Sequence, residues 1–172
     1  MGAYEEEKYP FLKYEFHLIE EVLKKGIPFL GICLGSQMLA KVLGSNVYKG
    51  KKGEEIGWYS VEKVGEHRFF KDFPEKILVF QWHGDTFDLP KDAIRVFSSE
   101  KYENQGFVYE KAVGLQFHIE VDSKTINRWV KAYKEELSTR RIDPENLLKI
   151  AKHEEKDSKK MLEGLINRMV ES

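Results

Sequence analysis

The sequence IPFLGICLGSQ, residues 27–37, contains the transition that decides the fold. Ile27 to Ile32 is a short apolar run of the kind found in buried strands. Leu34 to Leu43 has helical spacing and is closed by Gly44, a residue common just after a helix end. A buried strand that turns directly into a helix is the repeating unit of a doubly wound α/β sheet.

The flanking segments continue this alternation. Apolar residues recur at helical spacing from Pro10 to Lys25. Beyond the second helix, five segments have strand-like apolar content, and the last two are close enough for a hairpin: residues 56–64, 77–82, 94–98, 106–109 and 113–121. The chain then becomes helical, with Asp122 or Ser123 as the cap, and Asp143-Pro144-Glu145 begins a further helix. We predict a single α/β domain over 1–172: a doubly wound, mostly parallel sheet flanked by helices, with 140–172 as a C-terminal helical extension.

Composition excludes several classes of protein. Acidic and basic residues nearly balance, giving a formal net charge of -1, whereas a nucleic-acid-binding domain normally has a basic excess. The one cysteine cannot form an internal disulfide. No run of about 18 apolar residues exists, and the acidic N-terminus lacks the apolar stretch of a signal peptide. The sequence therefore predicts a soluble cytoplasmic protein without nucleic-acid or membrane partners.

That cysteine, Cys33, lies between the predicted strand and helix, with glycines two positions away on each side. A G-x-C-x-G pattern at such a junction resembles the nucleophile elbow, and we expect only glycine to fit at Gly31 and Gly35. The N-terminus of the following helix would favour the thiolate. The alternative is that Cys33 is a small buried apolar side chain.

A thiolate that cleaves an amide needs a proton donor for the leaving nitrogen, usually a histidine. His118 ends a strand-like run, and Glu120 would face the same side of a strand, where its carboxylate could orient the imidazole. Two alternatives remain. His118 could be a core histidine, or residues 83–85 (His-Gly-Asp) and 118–120 (His-Ile-Glu) could together bind a metal. No third segment has metal-ligand spacing, so neither a metal nor a cofactor is expected.

Two motifs together resemble those of class I, or triad-type, glutamine amidotransferases. The nucleophile motif G-x-C-x-G-x-Q is complete at residues 31–37, and the family's F-H-P-E motif occurs as Phe-His-Ile-Glu at 117–120. Residues 55–58 and 82–85 are similar to the subgroup that includes the amidotransferase domain of GMP synthase. The similarity extends from about Met1 to Val121. It implies the flavodoxin-like fold of that family.

The resemblance also implies roles for individual residues. Cys33 would be the nucleophile, His118 the general acid and base, and Glu120 its orienting partner. The Leu34 N–H would form one side of the oxyanion hole. Substrate contacts would come from Gln37 and from the turn at His83 and Gly84. The implied reaction proceeds through a glutamyl thioester to glutamate and ammonia. Two departures from the family pattern are Ile119, in place of proline, and Trp82, in place of a small polar residue.

The beginning of the domain is expected to be missing. Only one predicted helix precedes the elbow, whereas the family has further βα units there. Residues 1–5 (MGAYE) resemble the end of the family's Gly-Gly-Pro loop, which donates the other half of the oxyanion hole. We therefore expect an open sheet edge, covered by a homodimer or by the absent segment, and weak activity because an oxyanion donor is lost.

Three functions remain open from the sequence. The first is an amidotransferase that supplies ammonia to a separate synthetase, because no synthetase domain is recognisable here. The second is a stand-alone γ-glutamyl hydrolase, which the same triad could support. The third is a non-catalytic relative that serves as an interaction module.

Overall fold

The computed structural model describes residues 1–171. Its helices are α1 (Phe11–Lys24), α2 (Leu34–Val42), α3 (Ser123–Ala132), α4 (Lys134–Thr139) and α5 (Pro144–Val170). Its strands are β1 (Phe29–Ile32), β2 (Val47–Lys49), β3 (Glu55–Lys63), β4 (Lys76–His83), β5 (Asp85–Phe87), β6 (Ile94–Ser98), β7 (Gly106–Tyr109) and β8 (Ala112–Leu115). A short 3₁₀ helix, Arg68–Phe70, lies between β3 and β4.

The main sheet has six strands in the order β1-β8-β7-β6-β3-β4. It is mixed rather than mostly parallel: β1 and β8 are parallel, and all the other described pairs are antiparallel. The reason is connection length, because parallel strands need a long crossover whereas a short turn can join antiparallel ones. The predicted β7–β8 hairpin is confirmed. A second sheet of β2 and β5 was not predicted.

The sheet curls until its far edge meets the segment that follows β8. The backbone N–H of His118 donates to the carbonyl of Phe80, in β4, over 2.8 Å. Strand β4 stands at the opposite end of the strand order from β1 and β8. The curl therefore brings residues that follow β1, β4 and β8 to one place.

Most helix boundaries follow the sequence signals. Of the two candidate caps of α3, Asp122 is the one used, since its carboxylate accepts from the Thr125 N–H over 2.7 Å. Asp143 caps α5 in the same way, accepting from the Glu145 N–H over 3.0 Å. The predicted strand over 113–121 is shorter in the structure and ends at Leu115.

Three apolar clusters bury the two faces of the sheet. One contains α1 and α2 packed near β1, and another packs α3 and α5 on β3 and β4. The C-terminal extension contacts β3 directly, because Trp58 Nε1–H donates to the carbonyl of Leu147 over 3.1 Å. Ser172, the last residue of that predicted extension, lies outside the described residues. No helix in the described part of the chain is both long and apolar enough to span a bilayer.

Within residues 1–171, β1 pairs with β8 alone and forms one edge of the sheet. An unpaired strand edge offers free N–H and C=O groups to another chain or segment. The homodimer expected from the sequence stays a prediction, with this edge as the surface that it would cover.

Candidate active site

Cys33 lies on a sharp turn between β1 and α2. Its backbone has φ 51° and ψ -107°, a conformation that L residues rarely adopt. The turn is held by the Cys33 N–H, which donates to the carbonyl of Leu115 at the end of β8 (2.8 Å). The carbonyl of Cys33 in turn accepts from the N–H of Ser36 (3.0 Å) and that of Gln37 (3.2 Å). A strained backbone that its surroundings hold in place is typical of a functional position.

The two glycines that flank Cys33 differ in their roles. A Cβ added at Gly31 would lie 2.5 Å from the carbonyl oxygen of Gly35, so position 31 accepts only hydrogen. A Cβ added at Gly35 would meet nothing within 4 Å. The expectation that both positions require glycine is therefore wrong at Gly35, because its missing side chain would point into open space in α2.

This difference makes a testable pair. We expect Gly31→Ala to destabilise the fold by about 1–3 kcal/mol or more, because the clash is with backbone atoms that cannot move away cheaply. We expect Gly35→Ala to be neutral or to stabilise by up to about 1 kcal/mol, since alanine is the better helix former. Urea unfolding of both variants measures the difference. Equal destabilisation by the two substitutions would contradict this explanation of the elbow.

His118 reaches Cys33 because β1 and β8 are parallel neighbours that end together. Ile32 is in register with Leu115, so the residues after each strand emerge at the same edge of the sheet. His118 is hydrogen-bonded to Cys33, and its Nδ1 lies 2.6 Å from Glu120 Oε1. The three predicted triad residues are therefore brought together, although residues 116–121 lie beyond the strand that was expected to align them.

The electrostatics of His118 favour its charged form. Burial by itself would lower the pKa of His118. Hydrogen bonds to Cys33 and Glu120, with the negative charges of both, outweigh burial and raise the pKa to about 9. The imidazole can therefore carry a proton at neutral pH beside a sulfur that is partly accessible. That exposure contradicts the alternative of a sealed apolar cysteine.

An aromatic wall, formed by Phe80, Trp82, Trp129 and Tyr133, encloses the outer side of His118. The Trp129 ring meets the imidazole edge-on at 5.1 Å between centroids, and Phe80 lies at 6.4 Å. Trp82 joins the wall through Trp129 (5.9 Å) and Tyr133 (5.4 Å). The helical spacing of the sequence predicts an apolar face that contains Trp129, but it does not predict the contact with His118.

The residues predicted to hold substrate are nearby, and most are engaged with the protein. Leu34 is the first residue of α2, where amides have no partner within the helix. Gln37 is buried and donates from Nε2 to Gln116 Oε1 (3.1 Å) and to the carbonyl of Asp85 (3.4 Å). His83 is bonded through both ring nitrogens. Their substrate contacts stay predictions.

The turn after β4 is packed tightly. A Cβ at Gly84 would lie 3.0 Å from Glu54 Cγ, and the Gly84 carbonyl accepts from the Gly50 N–H over 2.8 Å. The N-terminal segment lies against the same turn, since the Tyr4 hydroxyl donates to Asp85 Oδ1 over 3.2 Å. The predicted part of residues 1–5 in an oxyanion hole remains a prediction.

The metal alternative finds no support in the geometry. His83 is paired with Glu55 and His118 with Glu120, so the two His-x-acid segments do not converge on one point. Across residues 1–171, no group of three or more His, Cys, Asp or Glu side chains is arranged to hold a metal ion.

Comparisons with known proteins agree with this geometry. The family model described as "Glutamine amidotransferase class-I" matches residues 3–132. A crystal structure of a glutamine amidotransferase from Thermotoga maritima superposes with a TM-score of 0.97 at 72% identity, covering 100% of this chain and 75% of that one. GMP synthase from Thermomicrobium roseum is 37% identical over 101 residues, which are 58% of this chain and 19% of that protein. The glutamine-hydrolysing subunit of GMP synthase from Pyrococcus abyssi is 34% identical over 107 residues, 60% of this chain and 56% of that protein.

The chain thus spans about a fifth of the bacterial GMP synthase and little more than half of the archaeal protein. The family match covers the elbow, the His118 segment and the sheet between them. The expected α/β amidotransferase fold is confirmed by the structural neighbours. This chain belongs to the class-I glutamine amidotransferases.

Proposed function

We propose that this protein hydrolyses the side-chain amide of glutamine through a thioester on Cys33. The observation that carries the proposal is the hydrogen-bonded set of Cys33, His118 and Glu120 at a strained elbow. Sulfur attack on the amide carbon forms the S–C bond. His118 then protonates the departing nitrogen, the C–N bond breaks, and ammonia leaves. Water activated by the neutral imidazole cleaves the thioester to glutamate and restores the thiolate.

Developing negative charge on the amide oxygen needs donors that are already in place. The N–H of Leu34, at the start of α2, is the donor that the elbow supplies, and the helix N-terminus adds a favourable partial charge. Glu120 keeps the His118 ring oriented and supports its positive charge while the thiolate reacts.

We further propose that the released ammonia passes to an acceptor enzyme on a separate polypeptide. The support is the similarity to a Pyrococcus abyssi protein whose name describes it as one subunit of a GMP synthase, which implies another subunit in that system. The acceptor and pathway of this chain stay open.

Parallel assays with two substrates test the reaction class. Ammonia and glutamate should appear in equal amounts from glutamine. Release of amine from an N-substituted γ-glutamyl amide, without ammonia release from glutamine, would instead support a γ-glutamyl hydrolase. Turnover of neither compound by folded protein would leave the interaction module as the better explanation.

Glu120 gives a prediction about pH. Because its carboxylate helps to raise the pKa of His118, Glu120→Gln should lower that pKa and shift the alkaline limb of kcat/KM, expected near pH 9, down by about one unit. The imidazolium would then be lost at lower pH. Rates of glutamine hydrolysis between pH 6 and about 10 measure the shift. An alkaline limb that stays in place would contradict the role given to Glu120.

A further inference from the structure

The sulfur of Cys33 has two uncharged polar neighbours besides His118. Gln116 Nε2 lies 3.7 Å from Sγ, and the backbone carbonyl of Trp82 lies 3.9 Å from it. The carbonyl can only accept, so it favours the protonated thiol, whereas an amide N–H directed at sulfur favours the thiolate. Gln116 itself is fully buried, where a hydrogen bond to a charged group is strong.

The direction of the Gln116 amide is fixed by its neighbours. The backbone carbonyl of Asp85 must accept, so Gln37 has to present its NH₂ group there (3.4 Å). The same NH₂ group faces Gln116 over 3.1 Å, so Gln116 must offer its oxygen on that side. The NH₂ group of Gln116 is therefore left pointing at Cys33 Sγ.

A buried ion pair anchors the far end of this chain of hydrogen bonds. His83 Nδ1 lies 2.9 Å from the Asp85 carbonyl, and its Nε2 lies 3.0 Å from Glu55 Oε2. Both partners accept, so both ring nitrogens carry hydrogen while Glu55 is ionised. Burial by itself would raise the pKa of Glu55, but the hydrogen bond and charge of His83, with bonds from Ser99 and Gln105, hold it below its ordinary value.

We propose that Gln116 is a further catalytic residue whose side-chain amide stabilises the Cys33 thiolate, and that Gln37 is the positioning residue that orients this amide. The proposal rests on the proposed function in one respect, since it takes Cys33 as the reacting group. It assigns Gln37 a task inside the protein in addition to the substrate contact that the family resemblance implies.

The pH dependence of Cys33 alkylation by iodoacetamide tests this directly. Cys33 is the only cysteine in the sequence, so every bound label reports on it. Of the described titratable side chains, His118 contacts the sulfur and Glu120 stands behind it, and both are unchanged in the variants. Gln116→Met and Gln116→Asn remove the contact by different means, because Met cannot donate and Asn is too short. Each should move the alkylation midpoint upward by about one pH unit, a tenfold smaller thiolate fraction below the midpoint.

Gln81→Met is the matched control. Gln81 is also a fully buried glutamine, and its Nε2 donates to Gln105 Oε1 over 2.8 Å, with no contact to the sulfur. This variant should leave the midpoint where it is in the wild type. Gln37→Met should move the midpoint in the same direction as the Gln116 variants but by less, since it frees the amide of Gln116 without removing it.

Circular dichroism and thermal melting identify which variants are folded. A midpoint within about 0.2 pH units of wild type in a folded Gln116 variant would overturn the catalytic role of Gln116. An unmoved midpoint in Gln37→Met would overturn its positioning role. The readout requires no glutamine, so loss of hydrolysis with a normal midpoint shift would count against the proposed function alone.

Discussion

Cys33→Ala is expected to release ammonia from glutamine at least about 10⁴-fold more slowly than the wild-type chain. The sulfur supplies the only nucleophile on the elbow, and His118 and Glu120 are arranged around it. Alanine removes the attacking atom and leaves the strained backbone turn to its hydrogen bonds with Leu115, Ser36 and Gln37. Steady-state ammonia release from saturating glutamine measures the loss.

Stability measurements separate chemistry from folding in this variant. The Cys33 side chain makes only long contacts through sulfur to the backbone of Trp82 and to Gln116, so its removal should change the unfolding free energy by less than about 1 kcal/mol. Activity above a tenth of the wild-type rate in the folded variant would contradict the nucleophile assignment.

Glu55→Gln is expected to cost about 3–5 kcal/mol of unfolding free energy, although Glu55 lies outside the proposed triad. Its carboxylate is 1% exposed and binds three buried or half-buried groups: His83, Ser99 and Gln105. Removing one charge of a buried pair leaves the other without compensation. Urea unfolding with linear extrapolation measures the effect, and the midpoint of thermal unfolding should fall by roughly 10 °C.

Glu62→Gln provides the comparison on the same strand. Glu62 pairs with Lys76 over 3.5 Å, but both side chains are more than half exposed. Water competes for such a pair, so this variant should lie within about 0.5 kcal/mol of wild type. Similar losses in the two variants would contradict the structural role of the buried pair.

The same pair predicts an acid response. The folded-state pKa of Glu55 is lowered, so its contribution to stability is fully present above the ordinary glutamate range. It is lost as pH falls through the lowered value. The wild-type chain should therefore lose more stability on acidification than Glu55→Gln does, and unfolding curves at pH 7 and in mild acid measure the difference.

The elbow could be predicted because its determinants are local. Residues 27–37 contain the strand, the glycine that packs on the next turn and the helix start within a few positions. His118 and Glu120 were also identified correctly as neighbours, but for a partly different reason. The strand ends at Leu115, and a backbone bond to Phe80 holds His118 in place instead.

Strand direction and the buried polar contacts could not be predicted, because both depend on long-range pairing. The sequence shows that residues 55–63 and 76–83 are strands, yet nothing local indicates that the sheet curls to bring Phe80 to His118. Gln116 was missed for the same reason. A polar residue within the apolar run 113–117 was the available clue, but its partner Cys33 lies 83 positions away.

The most direct test of Cys33 as the nucleophile is the intact mass of the protein after incubation with an electrophilic glutamine analogue. We predict a single adduct per chain, mapped by proteolysis to Cys33, slowed by excess glutamine and strongly reduced in His118→Asn. Absence of an adduct on folded protein, or labelling that glutamine does not slow, would contradict the claim that Cys33 is an activated nucleophile in a glutamine site.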